Sequence, residues 1–153
     1  MNVAVRPGTF ADRRFIERLA ERTVMDSVAA FRHPQELMVH LALTRLLEIV
    51  ENQSHVTFVA ESDGRPVGFL LLLDDLPDEV TSTPQAFVAY MAVEPELQGR
   101  GVGQALLDAA ENEAKRRGLP YISLMVTEDN LAARRLYERG GYVTERRLLC
   151  KPL

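Results

Sequence analysis

A chain of 153 residues, 46% hydrophobic and 26% charged, is long enough to bury one core without disulfides or a structural metal, and shows neither the repeats nor the biased tracts of solenoids or disordered tails. With 22 acidic against 18 basic residues and a net charge of −4, non-specific affinity for nucleic acid or an anionic membrane surface is not expected. The longest apolar run, "GFLLLL", is far too short to cross a bilayer, and the start "MNVAVRPGTF" has no basic segment followed by an apolar stretch, so one cytoplasmic domain over 1–153 is expected.

"VAVRP" alternates apolar and other residues and ends at Pro7, as a short strand does. From Thr9, a candidate N-cap, Phe15, Ile16, Leu19 and Ala20 fall on one helical face. A second helix is expected after Pro34, with Leu37, Met38, Leu41, Leu46, Leu47 and Val50 apolar. "HVTFVAES" and "RPVGFLLLLD" flank Asp63-Gly64, a pair suited to positive φ, and predict a β-hairpin. After the acidic connection "DDLPDEV" comes "AFVAYMAV", which suits a central strand and leads directly into the glycines of "QGRGVGQALL". The following helix ends at Gly118; "YISLMV" predicts a strand, "NLAARRLYERGG" a helix, and "YVTERRLLCKPL" a final strand region. Cys150 in that region is expected to be a buried strand thiol, since no His partner is evident. The order β, two helices, three strands, helix, strand, helix, strand predicts an α/β fold, a mixed sheet with helices on both faces.

Strand, glycine turn and helix together aim free backbone N–H groups and the positive end of a helix dipole at an anion, most naturally phosphate. A phosphate-binding Walker loop requires Gly-Lys-Ser or Gly-Lys-Thr, but Gln104 follows Gly103 and no lysine occurs before Lys115. The dinucleotide fingerprint requires Gly or Ala at 104 or 106, which are Gln104 and Leu106. A glycine-rich turn with no ligand is the remaining plain reading.

"VEPELQGRGVGQALL" resembles the Gln/Arg-x-x-Gly-x-Gly/Ala signature of the GCN5-related N-acetyltransferases (GNAT), with Gln98, Gly101 and Gly103 on the signature positions. "EDNLAARRLYERGGY" resembles that family's second conserved element, through Asn130, Tyr137 and Gly141-Tyr142. The resemblance is sharp from Ala86 to Tyr142 and extends more loosely back to Val3. It implies a mixed, mostly antiparallel sheet and a single N-acetyltransferase domain. It also implies that acetyl-coenzyme A serves as cosubstrate without a metal, its pyrophosphate held by the amides of Gln98, Gly99, Arg100, Gly101, Val102, Gly103 and Gln104. Met91, Ala92 and Val93 would pair with the pantetheine arm as an added strand does, and the amide near Met91 would polarise the thioester carbonyl.

The reaction implied is direct attack of an amine, on a small molecule or a peptide, without an acyl-enzyme. Tyr137 would return a proton to the departing thiolate; its plain alternative is a helix aromatic packed in the core beside Leu136. Asn130 would face the cofactor cleft, and equally reads as an N-cap. For the base, relatives acting on protein N-termini carry a Glu where this chain has Met125, so Glu79, with Asp78 and Glu94, are the carboxylates left near the expected cleft; a solvated acidic loop is the alternative. The acidic connection would draw in a cationic amine. His33, His40 and His55 lack metal-ligand spacing. The family closes with two strands, and eleven residues follow Tyr142, which leaves the number of strands and a homodimer contact open. A different class of function, a catalytically silent regulatory module that binds acetyl-coenzyme A, shares all of these features except a need for Tyr137.

Overall fold

The computed structural model describes residues 1–153. Strand β1 (Val3–Pro7) is followed by a 3-10 turn and helix α1 (Arg13–Thr23), then by two further 3-10 turns and helix α2 (Glu36–Glu51). Strands β2 (His55–Ser62) and β3 (Arg65–Leu73) form the expected hairpin, and Asp63 and Gly64 both take positive φ, 51° and 75°. Strand β4 (Ala86–Val93), helix α3 (Val102–Arg116), strand β5 (Ile122–Leu124) and helix α4 (Leu131–Arg139) complete the chain.

The five strands lie in the order β1-β2-β3-β4-β5, antiparallel throughout except for the parallel pair β4–β5, so the sheet is mixed and mostly antiparallel as expected. Alternation decides the two faces. Leu70, Leu72 and Val88 pack with Val102, Leu106, Leu107 and Ala110 of α3, joined by Leu136 and Tyr137 of α4. Phe69, Leu71 and Leu73 pack on the other side with Leu19 and Ala20 of α1 and Leu43 and Val50 of α2.

Entry to α1 is set by a buried carboxylate. Asp12 accepts the Thr9 N–H at 2.7 Å and two bonds from Arg6 of β1 at 2.8 Å, tying the helix start to the first strand. The Arg6 guanidinium holds the Asp12 carboxyl down at about 2. An unfolded aspartate titrates near 3.9, so this contribution is complete above about pH 4 and is lost as the pH falls toward 2. Asp12→Ala is expected to lower unfolding stability by about 2 kcal/mol at neutral pH, and Asp12→Asn to flatten stability between about pH 4 and 2; denaturant titrations across that range check both.

Two expectations fail at the C-terminal side. "YISLMV" forms a strand only over Ile122–Leu124, and Met125 is exposed. "YVTERRLLCKPL" forms no strand: no backbone hydrogen bond is made beyond the Tyr142 N–H to Tyr137 C=O, and Cys150 is exposed rather than buried. The run Glu145-Arg146-Arg147 offers no apolar face to bury, and Arg146 is drawn instead to Asp78 at 2.8 Å.

Candidate functional site

At the β3–β4 pairing, Leu72 faces Val88 and Leu71 faces Tyr90, leaving Ala89 as a bulge. At the same level β4 leaves β5, which pairs only with Ala86, Phe87 and Val88. From Ala89 to Val93 the second edge of β4 is therefore unpaired, and its N–H and C=O groups face an opening between β4 and the chain that follows β5. Met91, Ala92 and Val93 all lie on this edge.

The strand then runs into the glycine loop. Gly101 is the N-cap of α3 with φ +87° and ψ 0°, and no side chain caps the helix. The first amide to be used within the helix is that of Ala105, which donates to Gly101 C=O at 3.0 Å. The amides of Gly99, Arg100, Gly101, Val102, Gly103 and Gln104 donate to no group of the chain, and gather at the positive end of a 15-residue helix. Val102 anchors this turn with its side chain in the core while its amide stays at the loop. A Cβ on Gly101 would meet nothing within 4 Å, so the space above the turn is open to a guest. A Cβ on Gly103 would stand 2.9 Å from Leu136 Cδ2, and this glycine lets α3 approach α4.

Asn130 caps α4, its Oδ1 accepting from the Ala133 N–H at 3.3 Å, which is the plain role foreseen for it. Tyr137 is half-buried; its ring lies 5.9 Å from that of Tyr142, edge to face, and packs against the core beside Leu136. Its hydroxyl makes no hydrogen bond within the chain, and burial pushes the phenol above its ordinary pKa. The packing and the free hydroxyl coexist: the ring is a core aromatic, and the oxygen remains available.

The carboxylates are less concentrated than the sequence suggested. The connection "DDLPDEV" comes before β4, which begins at Ala86, whereas the glycine loop follows the strand after Val93. Glu79 is exposed in that connection. Asp78 is committed to Arg146 and to the N–H and hydroxyl of Thr81, each at 2.8 Å, and these hold its carboxyl well below the usual range. Asp74 is paired with Arg117. Glu94 joins β4 to α1 through Arg18 at 2.5 Å and Arg22 at 2.7 Å. The glycine loop thus follows directly on Met91, Ala92 and Val93, and Met91 and Val93 pack with Leu136 and Tyr137 of α4, the helix that Asn130 caps, whereas Glu79 lies in the connection before β4. Tyr90, paired with Leu71 next to the Ala89 bulge, stacks on Phe69 and ties β4 to α1 through its hydroxyl, a contact that sequence reasoning missed because an aromatic inside a strand reads simply as core.

A family model described as the acetyltransferase (GNAT) family matches residues 17–142. The chain is 34% identical over 85 residues to an uncharacterized N-acetyltransferase of Methanocaldococcus jannaschii, covering 56% of this chain and 38% of that protein. It is 38% identical over 85 residues to the mycothiol acetyltransferase of Thermomonospora curvata, covering 56% of this chain and 27% of that protein. The matched segment thus spans well under half the length of these relatives. Among solved structures, an acetyl transferase of Pyrococcus furiosus superposes with a TM-score of 0.83 at 26% identity, covering 99% of this chain and 100% of that one. The fold is shared at 19% identity and a TM-score of 0.72 by AAC(6′)-Iy, covering 100% of this chain and 99% of that one, in a structure with the bisubstrate analogue CoA-S-monomethyl-acetylneamine. No helix of the present chain is long and apolar enough to cross a membrane.

Proposed function

Because this chain belongs to the acetyltransferase (GNAT) family, we infer that it is an N-acetyltransferase domain that moves an acetyl group from acetyl-coenzyme A to a primary amine of a small molecule or a peptide. The observation that carries this reading is the row of unused amides from Gly99 to Gln104 at the start of α3, standing at the end of an unpaired strand edge. Such a loop suits a pyrophosphate, and such an edge suits the amide-bearing pantetheine arm.

In this reading the amides of Gly101, Val102, Gly103 and Gln104 bind the phosphates, and Gln98, Gly99 and Arg100 shape the approach. Met91, Ala92 and Val93 align the arm along β4, and the Met91 amide polarises the thioester carbonyl. The amine nitrogen bonds to the carbonyl carbon as the carbon–sulfur bond breaks, and the Tyr137 hydroxyl gives its proton to the leaving thiolate. The amine loses its proton to water, since Glu79 is an exposed, solvated carboxylate of the connection before β4 and Asp78 and Glu94 are held by arginines. Asn130 fixes the start of the helix that presents Tyr137. The reading itself calls for no metal.

Calorimetry with acetyl-coenzyme A, followed by thiol release over a panel of amines, amino acids and peptides, tests the proposal. Saturable binding and amine-dependent release are expected. Binding without release from any amine would leave the regulatory module, and absence of binding would end both readings.

A further inference from the structure

The end of α1 is held on one bank of the opening, and the segment that follows it is held on the other. On the β4 bank, the Tyr90 hydroxyl donates to Ala20 C=O at 3.3 Å and lies 3.0 Å from Thr23 Oγ1, at the end of α1. On the far bank, in the turn that follows β5, the Thr127 hydroxyl donates to Ser27 C=O at 2.6 Å, and the Asp129 carboxylate accepts the Ala30 N–H at 3.0 Å. Residues 24–30 therefore run from the end of α1, which Tyr90 of β4 holds, to the chain beyond β5, on the face covered by α1 and α2, where β4 and β5 form no ladder from Ala89 onward. The same turn closes with the Asn130 N–H on Thr127 C=O at 2.9 Å and leads into α4, so the strap and the helix carrying Tyr137 share an anchor.

We propose that Thr127 and Asp129 are positioning residues that hold the strap 24–30 across this opening, so that a thioester bound along β4 is shielded from water on that face. The proposal rests on the acetyl-transfer reading above. The competing reaction it suppresses is hydrolysis: a water oxygen bonds to the acetyl carbon as the carbon–sulfur bond breaks, giving acetate, a proton and the free thiol of coenzyme A. Both fastenings are single hydrogen bonds on the surface, Asp129 being exposed, so removing one loosens the strap without touching the core.

The test compares the parent with Asp129→Ala, Thr127→Val and Asp129→Asn, whose amide oxygen still accepts from Ala30. Three quantities are read: hydrogen exchange at the Ala30 amide without cofactor, acetyl-coenzyme A affinity by calorimetry, and thiol release from acetyl-coenzyme A with no amine present. Loss of the carboxylate is expected to speed Ala30 exchange about tenfold. Amine-free thiol release is expected to rise about three- to tenfold in Asp129→Ala and Thr127→Val, with affinity within about twofold of the parent and Asp129→Asn close to it. Faster exchange with hydrolysis at the parental rate overturns the shielding role, and unchanged exchange at Ala30 in Asp129→Ala overturns the fastening. A parent that fails to bind acetyl-coenzyme A overturns the functional reading and the shielding role together, whereas an inference that fails alone leaves binding intact.

Discussion

Tyr137→Phe is expected to slow acetyl transfer by about 10² to 10⁴ while leaving acetyl-coenzyme A affinity within about twofold, as general acid help of that size disappears with one oxygen. The ring packs beside Leu136 and edge to face with Tyr142, and phenylalanine preserves both contacts. The hydroxyl has no partner in the chain, so its removal leaves no buried group unsatisfied and unfolding stability should hardly change. Burial raises the phenol's pKa, which means that the folded protein keeps this proton to higher pH than free tyrosine does. Activity is therefore not expected to fall through loss of the Tyr137 proton anywhere in the neutral or mildly alkaline range. Steady-state rates of the parent and variant against pH, with thermal unfolding of both, check these expectations. A variant rate within a few-fold of the parent would make Tyr137 a packing residue only.

Gly101→Val is expected to weaken acetyl-coenzyme A binding by about ten- to a hundredfold. A β-branched residue at φ +87° carries about 1 to 3 kcal/mol of backbone strain, and its branches project into the space that a phosphate would use. That space holds no protein atom, so the variant meets no clash in the free protein and should still fold, with a modestly lower melting temperature. Gly101→Asn, which tolerates left-handed backbone, should lose less affinity. Gly103→Val is the contrasting case: its side chain would collide with Leu136 and press α4 away from α3, so stability falls first and binding follows from the displaced helix. Calorimetry of folded Gly101→Val decides the point, and parental affinity there would detach the glycine loop from the cofactor.

The sequence was legible where local backbone chemistry is sufficient. Asp63-Gly64 dictates a tight turn because both residues accept positive φ, Asn130 begins α4 because its side chain satisfies a free amide, and the glycines before Val102 leave the first amides of α3 uncapped. Apolar alternation and helical spacing were enough for the two-faced mixed sheet, and the paired motifs at Gln98–Gly103 and Asn130–Tyr142 for the family. What no local signal carried was the choice of partner across space. The tertiary structure decided that β4 and β5 separate at the Ala89 bulge, that β5 stops at Leu124, and that the C-terminal segment stays off the sheet with Cys150 exposed. It also decided that Asp78 and Glu94 belong to arginines, and that Thr127 and Asp129 reach back about a hundred residues to Ser27 and Ala30. A turn or a cap needs only neighbours a few residues away, whereas an ion pair, a strand edge or a strap between distant segments depends on which surfaces the packed core brings together.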